Sequence, residues 1–369
     1  MKRNSKMFLF IVMLLLTGSS CFLMTSCQKD YDGQLEIIRN QLKAGENSYT
    51  ELKEQITSLE ERVTTIEKQI EDLQNGNNGG GCDVDCEAQL KELREALETA
   101  NKADVIIAAL GESSEMSGES SSRTDLNLPD VQQTLLKELV ATGKPVVLVL
   151  FTGRPLILNW EQDNVPAILN VWFGGSEAAY AIGDVLFGRV NPSGKLTMSF
   201  PQNVGQIPLY YAHKNTGRPL HDGKWFEKFR SNYLDVTNEP LYPFGFGLSY
   251  TTFAYSDISL SQSSMDMQGM ITASVDVSNT GLLPGGEVVQ LYIRDLVGST
   301  TRPVKELKGF ERIYLQPGQT RTVTFKIAPE MLKFYDYDLQ YVIEPGDFQV
   351  MIGSNSRDVK TAAFTVTSR

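Results

Sequence analysis

Two different hydrophobic periods divide the chain beyond residue 102. Up to about residue 254, three apolar runs of strand length alternate with helical patterns such as VQQTLLKELVATGK: DVIIAAL (104–110), PVVLVLF (145–151) and AILNVW (167–172). Strands that are apolar on both faces and alternate with helices predict a parallel sheet that helices cover on both sides. We therefore expect an α/β domain over residues 103–254.

From about residue 255 the period changes to alternation of apolar and polar residues. Five segments show it, with turn residues between them: ITASVDVSNTG, VVQLYIRD, TRTVTFKI, FQVMIGS and AAFTVT. Short, regularly spaced strands of this kind predict an all-β sandwich. We place this second domain at residues 255–369.

Residues 35–73 repeat apolar positions at spacings of three and four over about six heptads. The repeat predicts a coiled coil through which the chain self-associates. The later heptads carry Ile or Val at one core position and mostly Leu at the other, which favours a parallel dimer, while Ile66 leaves a trimer open. The alternative is a single amphipathic helix that lies on its own domain.

The first 27 residues have the pattern of a bacterial lipoprotein signal. A basic start precedes an unbroken apolar run at residues 7–16, which is too short to span a bilayer. Small residues then lead to Cys27 in LMTSC, so we expect Cys27 to be lipidated after cleavage. Cys21 is the weaker candidate, and an uncleaved membrane anchor is the alternative. In each case the body is exported, and a lipid anchor predicts an outer-membrane lipoprotein on the periplasmic or cell-surface side.

Residues 28–102 are expected to form a coiled-coil stalk and linker. NGNNGGG (75–81) ends the predicted coiled coil as a flexible link, and a short helix follows at EAQLKELREALETANKAD. Cys82 and Cys86 lie between them and could form a disulfide in an oxidising compartment. We expect no metal and no cofactor, because His213 and His221 are the only histidines and the chain has no second cysteine pair.

The charge of the chain and its glycine spacing exclude two classes of binding site. The net charge is −11, and nucleic-acid binding needs a basic face, so we expect no nucleic-acid partner. GRVNPSGKL superficially resembles a phosphate-binding loop. It has five residues between its glycines, and Leu196 stands where a magnesium-binding Ser or Thr is required.

GESSEMSGESSSR (111–123) directly follows the first predicted strand of the α/β domain. Ligands of open α/β sheets bind where loops leave the carboxyl ends of strands. Glu112, Glu115, Glu119 and Arg123 are therefore candidate site residues. From position alone, the stretch is equally well explained as a polar connection.

Several long segments closely resemble glycoside hydrolase family 3 of the β-glucosidase type. They include GESSSRTDLNLPDVQQTLLKELVATGKPVVLVLFTGRPL, WFGGSEAAYAIGDVLFGRVNPSGKLTMSFP and LYPFGFGLSYTTF. Farther along, VVQLYIRD, RPVKELKGFERI and LQPGQTRTVTF resemble that family's fibronectin type III-like domain. The resemblance covers residues 103–369 nearly without gaps, and it identifies the two expected domains as a family 3 C-terminal α/β sandwich and an immunoglobulin-like, fibronectin type III-like sandwich.

The resemblance implies hydrolysis of an oligosaccharide or β-glucoside by two carboxylates. Family members carry the aspartate nucleophile on a barrel and the acid/base glutamate in a segment GE(G/S)xxR. This segment corresponds here to Gly118–Arg123, which makes Glu119 the acid/base candidate and leaves Glu112, Glu115 and Arg123 as substrate-side candidates. Residues 1–102 are too few for a (β/α)₈ barrel of about 250 residues. We therefore expect the α/β sandwich to be partial and the chain to be inactive by itself.

Three hypotheses follow for the whole chain. It is part of a β-glucosidase that depends on a barrel from another polypeptide, or a non-catalytic surface lipoprotein that displays a carbohydrate-binding or structural domain on a stalk. The third is the product of a recombined gene. In that case half of an α/β sandwich would leave an apolar sheet edge and face exposed, which favours aggregation.

Overall fold

A computed structural model describes residues 9–13, 85–221 and 224–368 of the chain. The predicted coiled coil at 35–73, Cys21, Cys27 and Cys82 lie outside the described residues. The predicted bond between Cys82 and Cys86 lies outside them as well.

The α/β domain is built on a four-stranded sheet. Its strands lie in the order β1 (Leu9–Met13), β2 (Val105–Gly111), β3 (Val146–Phe151), β4 (Ala167–Asn170). The helices are α1 (Asp85–Asn101), α2 (Asp130–Ala141), α3 (Asn159–Asn164) and α4 (Ala178–Leu186). The three predicted strands are confirmed, as is the helical pattern VQQTLLKELVATGK between the first two, and β4 ends two residues before the predicted run does.

Strand β1 is formed by part of the apolar run for which the sequence predicts a signal-peptide core. It pairs in parallel with β2, from Leu9 opposite Val105 to Met13 opposite Ala109. The pairing requires a chain that keeps its first residues. A chain cleaved before Cys27 would lack β1, and the corresponding edge of β2 would be open.

Coverage of the sheet is uneven. Strand β2 is buried from Ile106 to Gly111 and most of β3 is buried, as predicted for strands with apolar side chains on both faces. Strand β4 has no buried residue, and neither does α4, which carries Tyr180 at 75% exposure. Among the described residues, the expected coverage on both sides is therefore not found for β4.

The β-sandwich predicted after residue 254 is confirmed. One sheet has the order β10-β9-β14-β15-β7, and the other has the order β11-β8-β5 with β6 also on β8. The strands are β5 (Phe253–Tyr255), β6 (Ser259–Leu260), β7 (Ser264–Asp266), β8 (Ile271–Asn279), β9 (Gly285–Asp295), β10 (Glu306–Leu315), β11 (Thr320–Ile327), β14 (Gly346–Gly353) and β15 (Val359–Thr367). Helix α5 (Pro329–Leu332) precedes a separate hairpin of β12 (Phe334–Tyr335) and β13 (Tyr341–Val342).

The core of the sandwich follows the predicted alternation in β8 but not in β9. In β8 every second residue from Ile271 to Asn279 is buried. Strand β9 is buried on both faces, because the segment before the sandwich covers its outer face: Gln290 donates to the carbonyl of Gly245 at 3.1 Å, and the ring of Tyr292 meets that of Tyr211 edge-on. Strand β10 was not predicted, since a register shift near Gly309 interrupts its pattern.

The described residues fall into two compact units. The second unit consists of Gly111–Asp130, Leu150–Asn164 and Ile168–Arg369. It contains all four candidate residues of the GESSEMSGESSSR stretch, together with the loops that contact them.

Candidate active site

The site begins where the chain leaves β2 at Gly111. A Cβ atom at this position would lie 1.7 Å from the carbonyl oxygen of Phe151, so only glycine fits. The next residue, Glu112, donates its backbone N–H to that same oxygen at 2.8 Å. A short 3₁₀ turn over Ser114–Met116 follows and leads the chain into the serine-rich loop.

Glu112 is the buried anchor of this loop. Its side chain is 1% exposed, and Oε1 lies 3.0 Å from Nη1 of Arg123 and 2.9 Å from Nε of Arg154. Its other oxygen, Oε2, accepts hydrogen bonds from the Thr152 hydroxyl at 3.0 Å and from the Gly153 N–H at 3.1 Å. Both oxygens of the carboxylate are thus bound by other groups of the protein, so Glu112 does not face a substrate.

The same contacts determine the protonation state of Glu112. Burial by itself would raise the pKa of the carboxyl group. Hydrogen bonds from Arg123, Gly153 and Thr152, together with the charge of Arg154, outweigh burial and hold the pKa below its ordinary value. Glu112 is therefore ionised at neutral pH and is not a proton donor there.

Arg154 ties down the loop on both sides of Glu119. Its Nη2 donates to the carbonyl oxygen of Met116 and, at 2.8 Å, to that of Ser121. Its Nε has no hydrogen bond in spite of the short distance to Glu112, so that contact acts through charge. Arg154 thus couples the backbone around Glu119 to a buried carboxylate.

Glu119 lies at the exposed tip of the tethered segment. It stands between Gly118, at φ +139°, and Ser120, at φ +60°, two conformations that turn the chain sharply. Its side chain has no hydrogen bond or ion pair with any part of the chain that the structure describes. Glu115 is also exposed and accepts only a 3.5 Å contact from the Ser114 hydroxyl.

An open cavity of about 470 Å³ lies beside this tip. It is lined by Ser117, Gly118, Ser120, Ser121, Ser122, Gly153, Arg154 and Phe173. Hydroxyl groups and a guanidinium occur on its wall together with the ring of Phe173, which is 76% exposed. This combination suits a sugar, which has hydroxyl groups at its edge and apolar C–H faces.

Gly153 shapes the cavity. A Cβ atom there would lie 1.9 Å from Oγ of Ser117 and 2.8 Å from Cζ of Phe173. The Thr152–Arg154 loop follows β3, and Phe173 lies in the loop after β4. The tethering role of Arg154 had no sequence signal, because it depends on backbone carbonyls that any residue provides.

The described part of the chain contains neither a metal-binding cluster nor a membrane-spanning helix. No group of three or more His, Cys, Asp or Glu side chains there could hold a metal ion. None of the described helices is both long and apolar enough to cross a membrane.

Comparison with known proteins identifies the family. Residues 26–250 match the glycosyl hydrolase family 3 C-terminal domain, which is more than half of the chain. The chain belongs to glycoside hydrolase family 3. Residues 287–356 match a fibronectin type III-like domain, which agrees with the observed sandwich. Both resemblances noted in the sequence are confirmed.

The curated relatives are much longer than this chain. A periplasmic β-glucosidase of Salmonella typhimurium is 51% identical over 281 residues, which is 76% of this chain and 37% of the relative. A β-xylosidase of Formosa agariphila is 44% identical over 292 residues, 79% of this chain and 39% of the relative. The chain thus spans less than two fifths of these relatives.

Solved structures give the same picture. The β-glucosidase from Listeria innocua in complex with glucose matches with a TM-score of 0.72 and 42% identity, over 75% of this chain and 38% of that one. The family 3 C-terminal portion is what this chain shares with these proteins.

Proposed function

We propose that this chain supplies the acid/base half of a β-glucosidase-type active site, and that another polypeptide supplies the nucleophile. The observation that carries the proposal is the display of Glu119: an exposed, unpartnered carboxyl group on a segment tethered by Arg154, next to an open polar cavity. Glu119 also occupies the glutamate position of the family segment GE(G/S)xxR.

In the proposed reaction a carboxylate of the partner attacks the anomeric carbon while the glycosidic C–O bond breaks. Glu119 gives its proton to the departing oxygen. In the second step the Glu119 carboxylate takes a proton from water, and the resulting hydroxide displaces the partner's carboxylate from the sugar. The two carboxyl groups must lie about 5–5.5 Å apart for this retaining mechanism.

The described residues offer no suitable nucleophile at this place. The oxygens of Glu112 are held by Arg123, Arg154, Thr152 and Gly153, and the side chain is buried. A general acid at neutral pH needs a desolvated or negatively charged neighbourhood. A second polypeptide over the open cavity would provide this neighbourhood together with the nucleophile.

The substrate class follows from the cavity and from the relatives. Hydroxyls of Ser120, Ser121 and Ser122 can hydrogen-bond a sugar, and the exposed ring of Phe173 can stack against its C–H face. The relatives named above are a β-glucosidase and a β-xylosidase. We therefore propose a β-glucoside or a related oligosaccharide as the substrate.

The N-terminal region is proposed to place this activity at a membrane. Cys27 is the lipidated residue, residues 28–102 form the stalk, and residues 35–73 self-associate as a coiled coil. One relative is named a periplasmic enzyme, which supports export. The domain limits 103–254 and 255–369 are proposed for the α/β and sandwich domains, although β1 and α1, which lie before residue 103, adjoin the α/β sheet.

A second candidate function is display of a carbohydrate-binding domain on the stalk without catalysis. An exposed cluster of tyrosines on the sandwich, Tyr335, Tyr337 and Tyr341, favours it. The two functions are compatible, because the cluster and Glu119 lie on different domains.

Complementation tests the catalytic proposal. The purified chain should not hydrolyse an aryl β-glucoside, and adding a separately expressed family 3 barrel with the first half of the sandwich should produce turnover. Turnover by the lone chain, abolished by changing a residue other than Glu119, would contradict the proposal.

A further inference from the structure

A hairpin on the β-sandwich exposes three tyrosines within seven residues. Strands β12 and β13 pair Tyr335 with Tyr341, and the ring centroids of this pair lie 5.0 Å apart. Tyr335 is 64% exposed and Tyr341 is 53% exposed, while Tyr337, at the connection, is 89% exposed. We refer to these three residues as the tyrosine hairpin.

The connection between the strands is ordered by its own hydrogen bonds. Oδ1 of Asp336 accepts the backbone N–H groups of Asp338 at 2.9 Å and of Gln340 at 2.8 Å. The N–H of Asp336 donates to the carbonyl of Gln340 at 3.0 Å. Leu339 has φ +60°, a strained backbone conformation that is uncommon for a non-glycine residue. Its side chain is exposed. The tyrosines are thus presented on a preorganised loop, which lowers the entropic cost of binding.

The hairpin is fixed to the sandwich by a different residue. Phe334 is 4% exposed, and the guanidinium of Arg302 lies 4.2 Å from the centroid of its ring. Arg302 is held in turn by Glu306 at 2.8 Å. Because Phe334 provides the anchor, the three tyrosine rings are not needed for attachment. Tyr335 and Tyr337 are exposed, and Nζ of Lys333 lies 5.9 Å from the ring centroid of Tyr341.

We propose that the tyrosine hairpin binds a neutral β-linked glucan chain. The rings of tyrosine offer rigid apolar area with a polar tip, which suits stacking against the C–H faces of pyranose rings. The exposed side chains of Asp338 and Gln340 lie between the tyrosines in sequence and can accept or donate hydrogen bonds to sugar hydroxyls. The site is separate from Glu119 and needs no catalytic partner.

The composition of the hairpin distinguishes this ligand from others. Asp336 and Asp338 alternate with the tyrosines, and the whole chain carries a charge of −11, so anionic polymers are disfavoured. The centre of a protein–protein interface is depleted of charged residues, unlike this segment. A neutral polymer with many hydroxyl groups fits both the aromatic and the carboxylate side chains.

Affinity electrophoresis of the full chain tests the proposal. Migration should be retarded by mixed-linkage β-glucan in the gel and unaffected by polygalacturonate. Tyr337→Ala and Tyr335→Ala should each weaken retardation about tenfold, the size usual for truncating an aromatic contact. Tyr314→Ala is the matched control, since Tyr314 is 59% exposed on β10 of the same sandwich, and it should leave retardation unchanged. The exposure of Tyr337 makes its replacement harmless to folding, which thermal melting checks.

Three outcomes would overturn the proposal. They are absence of retardation by β-glucan, equal retardation of the tyrosine variants and wild type, and equal weakening by Tyr314→Ala. Self-association without glucan that the same variants abolish would assign the surface to a second copy of the chain instead. Complemented turnover of a small aryl glucoside does not require the hairpin, so either proposal can fail while the other stands.

Discussion

Nη2 of Arg154 donates a 2.8 Å hydrogen bond to the carbonyl oxygen of Ser121, two residues beyond Glu119. The same nitrogen donates to the carbonyl of Met116 on the other side of Glu119. Its guanidinium is neutralised by the buried carboxylate of Glu112, with Nε 2.9 Å from Oε1. Arg154 is therefore a positioning residue, which acts on Glu119 through the backbone of the loop.

Replacing Arg154 by Met should loosen this loop and destabilise the protein. The change leaves Glu112 buried with one cation fewer. Because Arg123 still pairs with Glu112, the cost should lie below the about 3–5 kcal/mol typical of a buried charge left without a partner. Denaturant unfolding should show the loss, and amide exchange over residues 116–122 should accelerate. Arg189→Met is the control, because the Arg189–Asp184 pair is exposed and such pairs contribute about 0–1 kcal/mol. Equal effects of the two variants would show that Arg154 does not order the loop.

Glu112→Gln should alter how stability depends on pH. The pKa of Glu112 is lowered in the folded state, so its stabilising contribution is complete above the ordinary value of 4.5 and is lost as pH falls through the folded pKa. The stability difference between wild type and variant should thus be constant at neutral pH and shrink below pH 4.5. A difference that grows on acidification would contradict the assignment of Glu112 as an ionised anchor.

The fold was largely predictable from hydrophobic period, and the exceptions have physical causes. Strands β2, β3, β8 and β11 follow from their apolar patterns, since those patterns match one or two buried faces. Strand β9 is buried on both faces only because Tyr211 and Gly245 come from a distant segment. Strand β10 escaped prediction because of its register shift near Gly309.

The candidate site was predictable in location but not in the roles of its residues. A loop that follows a buried strand and carries three glutamates indicated the location of the site. The position of the loop alone could not distinguish Glu112 from Glu119, because the two differ in burial and in their contacts with Arg123 and Arg154. Family resemblance favoured Glu119, and the structure supplies a reason for Glu112 to be unsuitable.

The N-terminal residue of the mature protein is predicted to be lipidated Cys27. Mass spectrometry of protein purified from membranes should find a diacylated peptide that begins at Cys27. The alternative outcome is an uncleaved chain, in which Leu9–Met13 pairs with β2. That strand exists only in an unprocessed chain. Intact residues 1–26 attached to an unmodified Cys27 would refute lipidation.

A peptide of residues 34–74 should associate into two or three parallel chains. Its apolar stripe has no other surface to bury against in isolation, and a lone helix of this kind is marginal in water. Sedimentation equilibrium should give two or three times the monomer mass, with helical circular dichroism. A peptide that remains monomeric at about 50 micromolar would count against the coiled coil, because an isolated helix has only marginal stability in water.

The central claim, that Glu119 is the acid/base residue of a shared active site, is tested most directly by leaving-group dependence in the complemented enzyme. Glu119→Gln keeps the size of the side chain but cannot give a proton. It should lower kcat/KM about 10²–10⁴-fold for an alkyl β-glucoside, the usual contribution of general acid catalysis. For glycosylation with 2,4-dinitrophenyl β-glucoside, whose leaving group needs no proton, the value should change little. Equal loss with both substrates, or no loss with either, would contradict the claim.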